Sequence, residues 1–215
     1  MLAQVVLFDG FDLLDAVAPF EILAAAGTMT DGRLTVEFVS AEGPRQVPSG
    51  VNDVPLQATA GIDRQHADLL IVPGAAGKAT GTDEDSVPAR LGNALETALA
   101  AELRAAMAAP HLTVATVCGG SLLLAMQGLL EGRPAVTHHL GMAVLAATGA
   151  IAIKARVVDD GDVITAGGVT SGLDLGLYLV ERLLGPRIAH AVETLFEYER
   201  RGTVWVARGL EAIAV

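Results

Sequence analysis

The chain has one cysteine, Cys118, and its neighbours allow it to act as a nucleophile. It ends the β-branched run Thr113-Val114-Ala115-Thr116-Val117 and is followed by Gly119, Gly120 and the apolar stripe Leu122-Leu123-Leu124. A strand that breaks sharply into a helix crowds the backbone at its central residue, and small neighbours such as Gly119 and Gly120 are what that turn requires. The thiol then projects from the carboxyl edge of the sheet, where open α/β sheets bind ligands. The following helix N-terminus is expected to favour thiolate over thiol. The same residue also suits a buried structural role, since free cysteine is among the most buried side chains.

A possible acid partner lies just after the first strand, in Asp12-Leu13-Leu14-Asp15. Asp12 suits a helix N-cap. Asp15 stands between Leu14 and Ala16, an apolar setting that raises a carboxyl pKa and lets it hold a proton. Such a group could hydrogen-bond the Cys118 sulfur or hand a proton to an adduct; an acid that merely satisfies helix amides is the plainer alternative.

Three further segments end strands or open helices. Val72-Pro73-Gly74-Ala75 lets backbone N–H groups approach a substrate as an oxyanion site needs, although a plain turn has the same composition. Thr137-His138-His139 offers a hydroxyl and a candidate base, or a helix cap. Gly167-Gly168-Val169-Thr170-Ser171 lacks the lysine and spacing of a P-loop and is expected to line the pocket. No spacing matches a zinc site and no dinucleotide fingerprint is present, so neither metal nor nucleotide cofactor is expected.

These segments need a scaffold, and the periodicities supply one. Strands are predicted over Ala3–Phe8, Leu34–Val39, Asp68–Val72, Leu112–Val117 and Ala135–Thr137, with Val157–Val158 and Val163–Thr165 flanking a hairpin turn. A hairpin or irregular excursion fills Gly43–Ala60, and a polar loop fills Gly77–Ser86. Helices are predicted from Leu13 to a stop at Gly27, then over Val87–Ala108, Gly120–Leu130, His138–Thr148, Thr170–Leu184 and Pro186–Tyr198. Strands alternating with helices give an α/β fold with a mostly parallel sheet covered on both faces. No linker or repeat divides residues 1–215, so one domain is expected.

Composition removes several function classes. The chain is 52% hydrophobic but only 4% aromatic, so the core is built from Ala, Val and Leu. Lys and Arg total 14 against 25 Asp and Glu, a net charge of -11 that repels phosphate backbones and argues against nucleic acid as a partner. The longest apolar stretch, Val114 to Leu130, is broken by Gly119, Gly120, Gln127 and Gly128 and reads as strand plus helix rather than a membrane span. A lone cysteine and an opening without a basic leader place the chain in the cytoplasm.

Taken in order, these motifs resemble the ThiJ/PfpI branch of the class I glutamine amidotransferase-like superfamily, from about Ala3 to Tyr198. The resemblance rests on Asp15 with Pro19, on Val72-Pro73-Gly74 and on Val117-Cys118-Gly119-Gly120-Ser121. Gly128-Leu129-Leu130-Glu131-Gly132-Arg133, Ala135-Val136-Thr137-His138 and Thr165 to Asp174 are similar to isocyanide hydratases and equally to the amidase-like domains of AraC-type regulators. The resemblance implies a flavodoxin-like three-layer sandwich with a nucleophile elbow, a homodimer, and no cofactor. It implies a lyase in which Cys118 attacks an isocyanide and Asp15 moves the proton, on the way to an N-formamide. Gly74, Ala75, Gly119, Thr137, His138 and Gly168 would form the surrounding oxyanion and substrate contacts. Gly119 departs from the pattern, because isocyanide hydratases carry Thr there and proteolytic relatives His. Ala75 replaces a second glycine but keeps its N–H. The alternatives are a glyoxalase-like or deglycase-like activity on small dicarbonyls, and a ligand or redox sensor.

Overall fold

Leucine-rich and β-branched runs need burial on both faces, and a central sheet flanked by helices provides it. The computed structural model describes residues 1–210. In chain order the elements are β1 (Leu2–Leu7), α1 (Leu13–Met29), β2 (Thr35–Ser40), β3 (Arg45–Pro48), β4 (Pro55–Ala58), β5 (Ala60–Gly61) and β6 (Leu69–Val72). Then follow α2 (Val87–Leu95), α3 (Leu99–Met107), β7 (Thr113–Val117), α4 (Gly120–Ala125), β8 (Pro134–Ala135), α5 (Met142–Ala147) and β9 (Ile151–Ala152). The last are β10 (Val157–Asp159), β11 (Val163–Ala166), α6 (Ser171–Leu184), α7 (Pro186–Phe196) and β12 (Trp205–Val206).

The main sheet has eight strands in the order β12-β10-β11-β7-β6-β1-β2-β5. Every neighbouring pair is parallel except β10 with β11, the hairpin whose turn is Asp160-Gly161-Asp162. Helices α1, α6 and α7 pack together, and α2, α3, α4 and α5 form a second set, so the sheet lies between two helical layers. This is the mostly parallel, flavodoxin-like α/β fold. The segment read as a hairpin or excursion is the antiparallel pair β3–β4, outside the main sheet.

Several boundaries differ from the sequence reading, each for a local reason. Gly27 does not stop α1, which runs on to Met29. A Cβ at Gly27 would lie 2.2 Å from the Leu34 carbonyl oxygen, so the glycine serves a close approach rather than a cap. The helix predicted over Val87–Ala108 is two helices. Thr97 breaks it, its Oγ1 donating to the Ala94 carbonyl at 2.8 Å and accepting from the Leu99 N–H at 3.2 Å. Helix α4 ends at Ala125, short of Leu130, and Gly128 follows with a φ of +75° that no helix continues through. His138–Thr148 is a three-residue 3-10 turn (His139–Gly141) followed by α5. The strand read at Ala135–Thr137 is β8, which pairs with β9 and not with the main sheet. Strand β12 has no counterpart in the reading, because two residues carry no periodicity.

Candidate active site

The carboxyl ends of β1, β6, β7 and β11 meet at the middle of the sheet, which brings the loops after them together. Strand β7 delivers Cys118 at φ +57°, a left-handed conformation that a non-glycine residue adopts only under constraint. The constraint is main-chain. The Cys118 N–H donates to the Ala166 and Gly167 carbonyls at 3.0 and 2.9 Å, and its carbonyl accepts from the Thr137 hydroxyl at 2.6 Å. Thr137 is thus spent on fastening the elbow. Ser121 adds a second tie, donating to the Val136 carbonyl at 2.6 Å while Thr116 donates to it at 2.6 Å. Gly120 is required because a Cβ there would sit 2.1 Å from the Val72 carbonyl oxygen.

The acid arrives on α1. Asp12 is the N-cap, accepting from Leu14 and Asp15 N–H groups at 3.0 and 3.3 Å. That frees the Asp15 side chain, which is fully buried. Its Oδ2 accepts from the Gly74 N–H at 3.0 Å, and its Oδ1 has no hydrogen-bond partner among the described residues. The Cys118 thiol sits against this carboxyl. Burial, helped by the charge of Asp12, holds the Asp15 pKa well above the usual carboxylate range, against the pull of the Gly74 N–H and the thiol.

The thiol differs from the sequence expectation. Burial first, then the Asp15 charge, push the Cys118 pKa up to about 12, outweighing the Val169 and Gly119 N–H groups aimed at the sulfur. Helix α4, whose N-terminus was expected to favour the thiolate, is only six residues long. Burial thus opposes the thiolate.

Gly74 and Gly119 lie back to back beneath the pair; a Cβ on Gly74 would meet the Gly119 nitrogen at 2.6 Å and Asp15 Oδ2 at 2.9 Å. In the bridge between Phe11 and Ala75, Asp12 N–H donates to Gly74 and Ala76 N–H to Gly10, so the Ala75 N–H is not consumed by that pairing. A Cβ at Gly168 would meet the His138 ring at 2.4 Å, so this glycine makes room for the imidazole. The His138 Nδ1 accepts from the Leu140 N–H at 3.3 Å, which leaves the proton of a neutral ring on Nε2. Burial and the neighbouring His139 lower its pKa, so it is uncharged at neutral pH. Val169 lies in the glycine-rich loop expected to line the pocket, but the sequence reading did not single it out as a donor to the sulfur. Its φ of +35° is the signal, a β-branched residue in a region only a tightly held loop imposes, and one that a sequence does not display.

Cys118, Gly119, Ala75, Val169 and His138 border one cavity of about 530 Å³. Its wall is apolar, built from Val87, Leu91, Leu122, Met126, Leu140 and Val144, and Asp12 is the only acid on it. Among the described residues, no group of three His, Cys, Asp or Glu side chains could hold a metal ion. No helix of the described residues is long and apolar enough to cross a membrane.

The DJ-1/PfpI family model matches residues 1–182. The chain belongs to the DJ-1/PfpI family. An isonitrile hydratase of Pseudomonas putida is 32% identical over 192 residues, which cover 89% of this chain and 76% of that protein. Among solved structures, Drosophila melanogaster DJ-1beta superposes with a TM-score of 0.75 at 18% identity, covering 92% of this chain and 98% of its own. An AraC family transcriptional regulator from Pseudomonas putida superposes with a TM-score of 0.70 at 21% identity, covering 91% and 98%. These two share the fold. DJ-1/PfpI membership thus matches the resemblance carried by Cys118, Asp15 and the Pro73-Gly74 loop.

Proposed function

We propose that this DJ-1/PfpI protein hydrates an isocyanide to an N-formamide, with Cys118 as nucleophile and Asp15 as proton carrier. The observation that carries the reading is the buried Asp15 carboxyl, one oxygen unpartnered, set against the Cys118 thiol, which in turn borders an apolar cavity. The hydratase relative supplies the reaction class.

The chemistry suits a protonated thiol. The sulfur of Cys118 bonds to the terminal isocyanide carbon, and the S–H proton passes to that carbon through Asp15, giving the thioimidate R–N=CH–S. Charge gained by sulfur as its proton departs meets the Gly119 and Val169 N–H groups. Water then adds across C=N, hydroxyl to carbon and proton to nitrogen, with Asp15 taking and returning the proton. As the carbon–oxygen double bond forms, the C–S bond breaks, the hydroxyl proton returns to sulfur, and R–NH–CHO leaves. One water is consumed and the thiol is regenerated. Ala75 N–H and the Nε2–H of His138 are the donors available to the oxygen and nitrogen of the adduct.

An apolar wall favours an uncharged isocyanide over a small, strongly hydrated dicarbonyl. A redox-switch role needs a thiolate, which burial here opposes. The test is incubation with cyclohexyl isocyanide, following formamide by NMR. Turnover is expected, with kcat/KM lowered roughly a thousandfold or more in Cys118→Ala and in Asp15→Asn. Recovery of the isocyanide unchanged from the unmutated protein removes the reading.

A further inference from the structure

A second cavity, of about 820 Å³, shares His138 and Val169 with the first but does not reach Cys118. Acids outnumber Lys and Arg by 25 to 14 in the chain, yet no Asp or Glu lines this cavity, whereas Lys154, Arg156 and His139 do. Of the two lysines, Lys78 is paired with Asp83 and Asp85, but Lys154 has no carboxylate partner among the described residues. Arg156 is held at a fixed position and ion-paired with the buried Asp174, its Nε donating to that carboxylate at 2.7 Å and its Nη2 to the same carboxylate and to Thr170 at 3.1 Å, which leaves Nη1 outside those bonds as a hydrogen-bond donor. Ser171, the first residue of α6, also lines the cavity. Val204 and Trp205 supply an apolar wall.

We infer that this cavity binds a small organic anion, a carboxylate borne on a ring or branched apolar body. The carboxylate faces Lys154, Arg156 and Ser171, and the body lies against Val204 and Trp205. A bare inorganic anion would leave the apolar wall unused, and an uncharged ring would leave Lys154 without a counter-charge. The inference stands apart from the reaction proposed at Cys118.

Trp205 is the chain's only tryptophan, so emission excited at the red edge of its absorption, where the two tyrosines absorb little, reports on this cavity. Benzoate and benzyl alcohol, which differ in charge at nearly equal shape, are titrated against the full chain at low salt. A saturable change in emission is expected with benzoate, about tenfold tighter than with the alcohol, the equivalent of about 1.4 kcal/mol. Lys154→Gln, at an exposed and unpaired position, should keep the melting temperature and weaken benzoate about fivefold, as for one partly exposed charge pair. Ser171→Ala should weaken it as well. Equal affinity for benzoate and the alcohol, or benzoate binding unaltered in both variants, overturns the inference. So does Trp205 emission that depends on protein concentration and ignores benzoate, since a second copy of the chain would then cover the cavity.

Discussion

A carboxyl with no exposed atom, one oxygen on a main-chain N–H and the other on nothing, weakens a fold at neutral pH. The sign follows from Asp15 holding its proton more tightly when folded than when unfolded, where its ordinary value is near 3.8. Its contribution is best below that value and is lost as pH climbs toward the raised one. Asp15→Asn, which keeps an acceptor for Gly74, should therefore melt a few degrees higher than the unmutated protein at pH 7, at about 2–4 °C per kcal/mol for a chain of this size. The difference should shrink at pH 4, and differential scanning calorimetry at the two values decides it. A variant that melts lower at pH 7 would show that the carboxyl stabilises its surroundings. The apolar setting of Asp15 was legible from Leu14 and Ala16 on either side. The raised thiol was not, because it depends on burial and on Asp15, a residue far from Cys118 in sequence.

Two adjacent glycines open or precede α4, and the element needs only one of them for its position. At Gly120 a Cβ would strike the Val72 carbonyl oxygen at 2.1 Å, backbone that cannot yield without moving α4 off the end of β6. At Gly119 it would meet the Leu91 Cδ1 at 3.3 Å, the far end of a flexible side chain. Gly120→Ala is expected to cost about 2–4 kcal/mol in urea unfolding, and Gly119→Ala under about 1 kcal/mol. Equal losses would mean that the elbow tolerates displacement of its helix. The Val-Cys-Gly-Gly run made the turn readable in advance, since a glycine at position 120 is what its close approach to Val72 needs. The split between α2 and α3 was hidden because Thr97 is an ordinary helix residue by composition; it breaks the helix by hydrogen-bonding to both sides of itself.

Across the whole molecule a net charge of -11 is spread over a surface carrying few cations, so the folded chain repels itself. Raising NaCl from about 10 mM to about 200 mM shortens the screening length from roughly 30 Å to under 10 Å, and the melting temperature should rise. A melting point that falls with salt would show that local pairs such as Arg133 with Asp160 outweigh the overall field. The alternation of strands and helices was enough to read the α/β class. The order of strands, the edge strand β12 and the β8–β9 pair were not readable, because they depend on which short segments find a free edge after the layers have formed. At the centre of that sheet, the backbone seat of Cys118 is fastened through its own N–H and C=O. Swapping the thiol for hydrogen empties this socket without recasting it. A Cys118→Ala crystal soaked with an electrophile would therefore photograph the encounter before any bond has formed.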